Sequence, residues 1–145
     1  MTKQHFKITP SSYIILVRDN KILMQRRRNT GYEDGKYSVP AGHFEGGENA
    51  TMTIIREAKE EIGIILDARN LKMVHIMNRS DKGNERVDFF FFADFWQGEI
   101  KNMEPEKCDE LRWFDINSLP TDIIPFIAAG IENYKNKIFY SEFGW

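Results

Sequence analysis

Glu57, Glu60 and Glu61 stand close together in a stretch that reads as a helix from Asn49 to Ile62. At about 100° per residue, the three carboxylates fall within roughly a 100° arc on adjacent turns. Ile54, Ile55, Ala58 and Ile62 take the neighbouring arc and anchor the helix in a core. Like charges at i,i+4, such as Glu57 and Glu61, cost about 0.2–0.5 kcal/mol on a plain surface helix. Arg56, four residues before Glu60, offsets part of that cost. What favours such clustering is a hard divalent cation, since Mg²⁺ takes octahedral oxygen ligands from carboxylates, water and phosphate. Three glutamates alone also describe an ordinary solvated helix face, so on this evidence both readings stand.

The preceding loop adds a second set of constraints. Gly42, Gly46 and Gly47 permit tight turns that bring the chain to the helix N-terminus. Asn49 suits an N-cap, and Gly63 a left-handed helix end. Glu48, just before the helix, can pair with Arg56 two turns on and lock the loop against it.

The segment AGHFEGGENATMTIIREAKEEIGI resembles the signature of the Nudix (MutT-like) hydrolases. That signature is a glycine, five residues, Glu, seven residues, Arg-Glu, an aliphatic, any residue, Glu-Glu, any residue, Gly and an aliphatic. Here the positions are Gly42, Glu48, Arg56, Glu57, Ala58, Glu60, Glu61, Gly63 and Ile64. Ala58 alone departs softly, being smaller than the usual aliphatic, which touches packing and not the acidic positions.

The resemblance implies an α/β fold, an α/β/α sandwich around a mixed β-sheet. It implies that Glu57, Glu60 and Glu61 hold Mg²⁺, with Mn²⁺ as a substitute, helped by a backbone carbonyl at Ala41 or Gly42. Glu48 and Arg56 would form the structural pair. The implied reaction is hydrolysis of a nucleoside diphosphate linked to a group X, yielding a nucleoside monophosphate and phosphorylated X. Metal ions neutralise and orient the diphosphate and activate a water to attack phosphorus. The compact length favours a nucleoside triphosphate or another small nucleotide derivative. In this family the base is a helix glutamate or a loop acid. The loop NMEPEKCDE offers Glu104, Glu106, Asp109 and Glu110, and Glu106 is the choice because Pro105 fixes its approach.

Other residues bear on the substrate. Arg26, Arg27 and Arg28 lie where a strand ends, and alternation lets only Arg26 and Arg28 share a face toward phosphate. Tyr32, Tyr37, Phe44 and Trp113 are candidates to stack on a base, although each also suits core or rim. His43, inside the signature's variable stretch, could touch phosphate or metal. Asn117 and Asn133 do not sit where the branch acting on oxidised guanine triphosphates reads its base.

Strands must position these groups. Tyr13–Val17 and Lys21–Gln25 read as a hairpin about Asp19-Asn20, with shorter strands at Lys36–Val39 and Leu111–Phe114. Leu71–Met77 and Val87–Trp96 are strands, the second carrying Phe89 to Phe92 as core, with alternation sending two of the four outward into a second layer or a partner. Ile123 to Tyr134 is a second helix. The aromatic end, Tyr140–Trp145, docks on the domain, covers the site or joins a homodimer contact.

The 145 residues make one domain, residues 1–145. A net charge of −2 gives no general pull toward a nucleic acid polymer or an anionic membrane. The lone Cys108 excludes an internal disulfide and a cysteine-based zinc cluster, and no neighbour activates its thiol. With no apolar signal core in MTKQHFKITP and no spanning run, the expectation is a cytoplasmic protein. Three alternatives remain on the sequence. One is a non-catalytic nucleotide-sensing module on the same fold, which tends to lose the helix carboxylates kept here. Another is an isoprenoid diphosphate isomerase, which needs a protonating cysteine where this chain has none. The third is a purely structural acidic helix.

Overall fold

The computed structural model describes residues 2–145. Strands β1 (Thr9–Arg18) and β2 (Lys21–Arg27) form the expected hairpin. Asp19 and Asn20 turn it with φ of 50° and 64°, left-handed values that short polar side chains tolerate and two-residue hairpins require. Short strands β3 (Tyr37–Ser38) and β4 (Ala41–His43) lead into helix α1 (Ala50–Ile62). Strands β5 (Lys72–Asp81), β6 (Asn84–Ala93) and β7 (Cys108–Asp115) follow, then helix α2 (Pro125–Lys135) and strand β8 (Tyr140–Phe143).

The strands run β3-β2-β1-β6-β5-β8, with β4 added on β1 and β7 on β2. Pairs β1/β6 and β5/β8 are parallel and the others antiparallel, so the sheet is mixed. Alternation along β1 feeds two cores. Tyr13 and Ile15 pack with Phe126, Ile127 and Ile131 of α2, while Ile14 and Leu16 pack with Ile54, Ala58 and Ile62 of α1. A strand covered on both faces reads as an unbroken apolar run, which explains YIILV. The result is the α/β/α sandwich that the signature implied.

Phe90 and Phe91 enter opposite cores, both nearly fully buried. Phe89 stacks on Phe44 with centroids 5.8 Å apart, and Phe92 on Tyr134 at 5.4 Å. All four are thus engaged within the chain, with Phe89 and Phe92 half-buried. The hairpin β5/β6 is longer than the apolar pattern indicated, reaching Asp81 and restarting at Asn84 around Lys82-Gly83. Its outer ends are polar, so they carry no apolar alternation, yet they pair without a break from Asn78 to Arg86.

The aromatic C-terminus is an edge strand. Tyr140 to Phe143 pair in parallel with Ile76 to Arg79, and Trp145 Nε1 donates to the Asn78 carbonyl at 3.0 Å. His75, wholly buried, fastens this strand. Its Nδ1–H donates to the Ile138 carbonyl and its Nε2 accepts from Ser141 Oγ, both at 2.7 Å. No helix among the described residues is long and apolar enough to cross a membrane.

Two outcomes follow from this packing. A Cβ on Gly130 of α2 would sit 2.5 Å from Phe90 Cζ. Gly130→Ala is expected to cost about 1–3 kcal/mol, the range for overpacking, in urea denaturation, and Phe90→Leu in the same chain should recover part of it. Burial holds the His75 pKa below its ordinary 6.5, against the opposing pull of the Ile138 carbonyl. The unfolded chain therefore binds protons below about pH 6.5 that the native state resists, and stability falls as the pH drops through that value. Thermal melts from pH 8 to 5 should show this fall, and His75→Gln should flatten it.

Candidate active site

Helix α1 is delimited by its caps. Asn49 accepts the Met52 N–H at 2.8 Å, and Gly63 ends the helix at φ 73° with its N–H on the Lys59 carbonyl. Two further carbonyls of the last turn, those of Glu61 and Ile62, are taken by the N–H groups of Met103 and Lys101. This docks the 101–107 loop onto the helix end. Asn102 then shapes the loop, accepting from the Glu104 N–H at 3.1 Å and donating to the Cys108 carbonyl at 2.7 Å.

The helix flank and this loop wall a cleft of about 780 Å³. Glu57, Glu60, Glu61 and Glu104 line one side; Arg27, Arg79, Arg86 and Lys107 also line it. Glu61 Oε2 accepts from the Ala41 N–H at 3.1 Å and from Gln25 Nε2 at 3.4 Å. Those neutral donors do not offset its surroundings. Burial, then the charges of Glu57 and Glu104, raise its pKa well above the carboxylate range. Glu57 is raised as well, by burial first, although Arg56 pulls against it.

Arg56 joins the loop to the helix. Its Nε and Nη2 grip Glu48 at 3.1 and 2.6 Å, Nη2 also donates to the His43 carbonyl, and Nη1 meets Glu57 at 2.7 Å and Glu60 at 3.3 Å. Those hydrogen bonds lower the Glu48 pKa to about 2. A Cβ on Gly42 would land on the Glu57 carboxyl group, so the glycine serves space here and not turn geometry.

The structure brings some predicted residues to the cleft and leaves others away. Ala41, Gly42, Glu57, Glu60, Glu61, Arg26 and His43 line it. Arg26 is already held by Asp109 at 2.8 Å and Glu110 at 3.3 Å. Arg28, Tyr37, Phe44, Trp113 and Glu106 are not among the lining residues. Arg28 is exposed because β2 shifts register at Arg26/Arg27 and ends there, so that Arg26 and Arg27 border the cleft and Arg28 does not. Tyr37 is buried, bonded to Glu110 and edge-on to Phe114; Phe44 and Trp113 stack on Phe89 and Trp96. In the acidic loop Glu106 is exposed, whereas Glu104 faces the helix glutamates, because the turn that donates to the Glu104 carbonyl from Lys107 and Cys108 carries Glu106 outward. Among the described residues no three acidic, histidine or cysteine side chains already converge as a metal cage; Arg56 lies against two of the glutamates.

Sequence reasoning missed Gln25, Arg79, Arg86, Glu104 as the inward acid, and Lys107. The available signal was the Lys82-Gly83 turn. It sets Arg79 directly across from Arg86.

Comparison with known proteins agrees with this geometry. The NUDIX domain family matches residues 8–134. An ADP-ribose pyrophosphatase of Methanocaldococcus jannaschii is 34% identical over 106 residues, 73% of this chain and 61% of that protein. A NAD-capped RNA hydrolase NudC of Stutzerimonas stutzeri is 29% identical over 118 residues, 81% of this chain and 40% of that one. The chain thus spans roughly 40–60% of the length of these curated relatives. A MutT NUDIX hydrolase from Burkholderia pseudomallei superposes with a TM-score of 0.80 at 25% identity, covering 88% of this chain and 98% of that one. The E. coli ORF135 protein shares the fold at a TM-score of 0.76 and 21% identity, covering 90% of each chain. With its helix glutamates, its Glu48–Arg56 clasp and a family match over most of its length, this chain belongs to the Nudix family.

Proposed function

We propose that the chain acts as one Nudix unit, a divalent-cation-dependent pyrophosphohydrolase that cleaves the diphosphate linkage of a nucleoside triphosphate or another small nucleoside diphosphate derivative. The observation that carries this reading is the flank of Glu57, Glu60 and Glu61 along the cleft, where burial and mutual repulsion hold Glu57 and Glu61 above their ordinary pKa. Arg56 compensates Glu57 and Glu60, and the inner end of the flank at Glu61 is short of positive charge. Its donors are all oxygens, and only the neutral Ala41 N–H and Gln25 amide meet Glu61. That donor set suits a hard cation. Glu57, Glu60 and Glu61, with Ala41, would hold Mg²⁺, or Mn²⁺ in its place. Bound there, the metal would neutralise charge on the diphosphate bridge and lower the pKa of an attacking water.

The chain's own groups supply the rest. Glu104 is the loop acid placed to take the proton from the attacking water, with its approach set by Asn102. Arg27 and Lys107, which also line the cleft, supply positive charge for the phosphates. Glu48 and Arg56 hold the loop and keep the helix carboxylates aimed. The names of the curated relatives, an ADP-ribose pyrophosphatase and NAD-capped RNA hydrolases, support a nucleoside diphosphate linkage as the bond cut. Retention of the three glutamates argues against a sensing module that only binds.

The test is turnover of a panel of nucleoside triphosphates, dinucleotides, nucleotide sugars and ADP-ribose with Mg²⁺. Wild-type protein should release product and stop on addition of chelator. Glu60→Gln and Glu61→Gln should each lower kcat by about 10²-fold or more, the scale of losing a transition-state charge stabiliser, with circular dichroism unchanged. Full Mg²⁺-dependent activity in either variant would remove that residue from the ligand set.

A further inference from the structure

The cleft is polarised. Its acidic wall is α1 with Glu104; part of its opposite wall is Arg79 on β5 and Arg86 on β6, which are direct cross-strand partners. Two guanidinium groups set opposite each other on one sheet face repel. Only one of them is neutralised. Arg79, 3% exposed, donates to Asp88 Oδ2 at 2.6 Å and Oδ1 at 3.3 Å, and lies 3.6 Å over the Phe126 ring. Asp88 is wholly buried and holds Arg79 through both carboxylate oxygens. Arg86 has no side-chain hydrogen bond or ion pair among the described residues, and its Nε is buried without a partner.

The side chain is partly exposed, so the rest of the guanidinium reaches the cleft while the buried Nε–H stays unmatched. An unmatched donor of this kind is completed by an anionic acceptor. The neighbouring His43, hydrogen-bonded to Ser11 Oγ at 2.8 Å, is held below its ordinary pKa by burial and then by the charge of Arg86, with Asp88 opposing and Arg79 and Arg27 adding to it. The sheet register also sets the spacing. Ala41, beside Glu61, pairs with Tyr13, whereas Arg86 pairs with Thr9 four residues back along β1. At about 3.3 Å per residue the two backbones lie roughly 13 Å apart along the strand. As β4 and β6 flank β1 on opposite sides, they are also about two strand spacings apart across the sheet, a separation that leaves room for a sugar between a diphosphate at the glutamates and an anion at Arg86.

We propose that Arg86, backed by the Arg79–Asp88 pair, forms a second anion subsite that takes a phosphate monoester carried on a sugar of the substrate. This deepens the hydrolase reading by naming which nucleoside diphosphate derivatives the cleft prefers. Arg79 sets the floor of the subsite and keeps Asp88 from neutralising Arg86.

Two measurements test it. In chelator, without metal, inorganic phosphate is titrated into wild type and Arg86→Gln and followed by NMR shifts of the β5 and β6 amides. Saturable shifts around Arg86 are expected in wild type and a loss of about 10- to 100-fold in affinity in the variant, the value of a charge-assisted hydrogen bond. With Mg²⁺, KM and kcat are compared for ADP-ribose and its 2′-phosphate, and for NAD⁺ and NADP⁺. Wild type should favour the phosphorylated member of a pair by at least about tenfold in KM, and Arg86→Gln should erase that preference, chiefly through KM. Equal phosphate binding by both proteins overturns the subsite, as does equal handling of both members of each pair by wild type. Absence of hydrolysis of every compound, with phosphate binding still dependent on Arg86, would overturn the hydrolase reading while leaving the anion subsite standing.

Discussion

The arrangement depends on one guanidinium shared among carboxylates. Arg56 touches Glu48, Glu57 and Glu60, and reaches Glu45 at 3.4 Å. The fork toward Glu48 is the firmest part, with two short bonds to one carboxylate on the loop that precedes the helix. A planar, permanently charged group suits this role, since it binds one partner bidentately and still presents an edge to others. Without it, the glycine-rich turn would have only the Asn49 cap and the Thr53 hydroxyl holding it to α1.

That clasp also explains how a helix tolerates so much like charge on one flank. Arg56 compensates Glu57 and Glu60, whereas Glu61 has only neutral donors. The deficit sits at the inner end of the flank, beside Ala41 and across from Glu104. The helix itself is held by apolar packing on its other side, where Ile54, Ala58 and Ile62 are fully buried. Ala58 is fully buried in the core between α1 and the sheet, so its difference from a bulkier aliphatic is one of packing volume. Repulsion among the glutamates is thus carried by the sandwich as a whole, since the core area on the far side outweighs a few tenths of a kcal/mol per like-charge pair.

The two helix layers share the sheet unequally. The α1 side ends in the acidic flank, and the α2 side ends in the Arg79–Asp88–Phe126 stack. Both ends open on one cleft because β1 is long enough to pair with β4 near its start, with β2 near its end, and with β6 along most of its length. The C-terminal strand adds to this by extending the β5 edge as far as Arg79 and closing over His75. Of the three places open to the aromatic C-terminus, docking on the domain is the one the structure shows, as an edge strand beside Arg79.

Local pattern was enough wherever the physics is local. Helix spacing placed Glu57, Glu60 and Glu61 on one flank, capping chemistry marked Asn49 and Gly63, and the Asp19-Asn20 turn and the unbroken apolar run at Tyr13 to Val17 announced the first hairpin. The pairing of Glu48 with Arg56 was legible too, because both lie within two helical turns. What spacing could not reveal was which distant groups come to the cleft. Strand alternation depends on where a strand begins and how it bulges, and β2 shifts register at Arg26/Arg27, so Arg27 and not Arg28 faces inward. Glu104 rather than Glu106 turns toward the helix because free carbonyls at the end of α1 fasten the loop at Lys101 and Met103. Arg79 and Arg86 meet only through the pairing of two polar strand ends. Sequence alone determined the chemistry of the helix flank, since its groups are bound by one hydrogen-bonded turn after another; tertiary structure decided what faces that flank, since only long-range strand register brings charges from remote segments to one cleft.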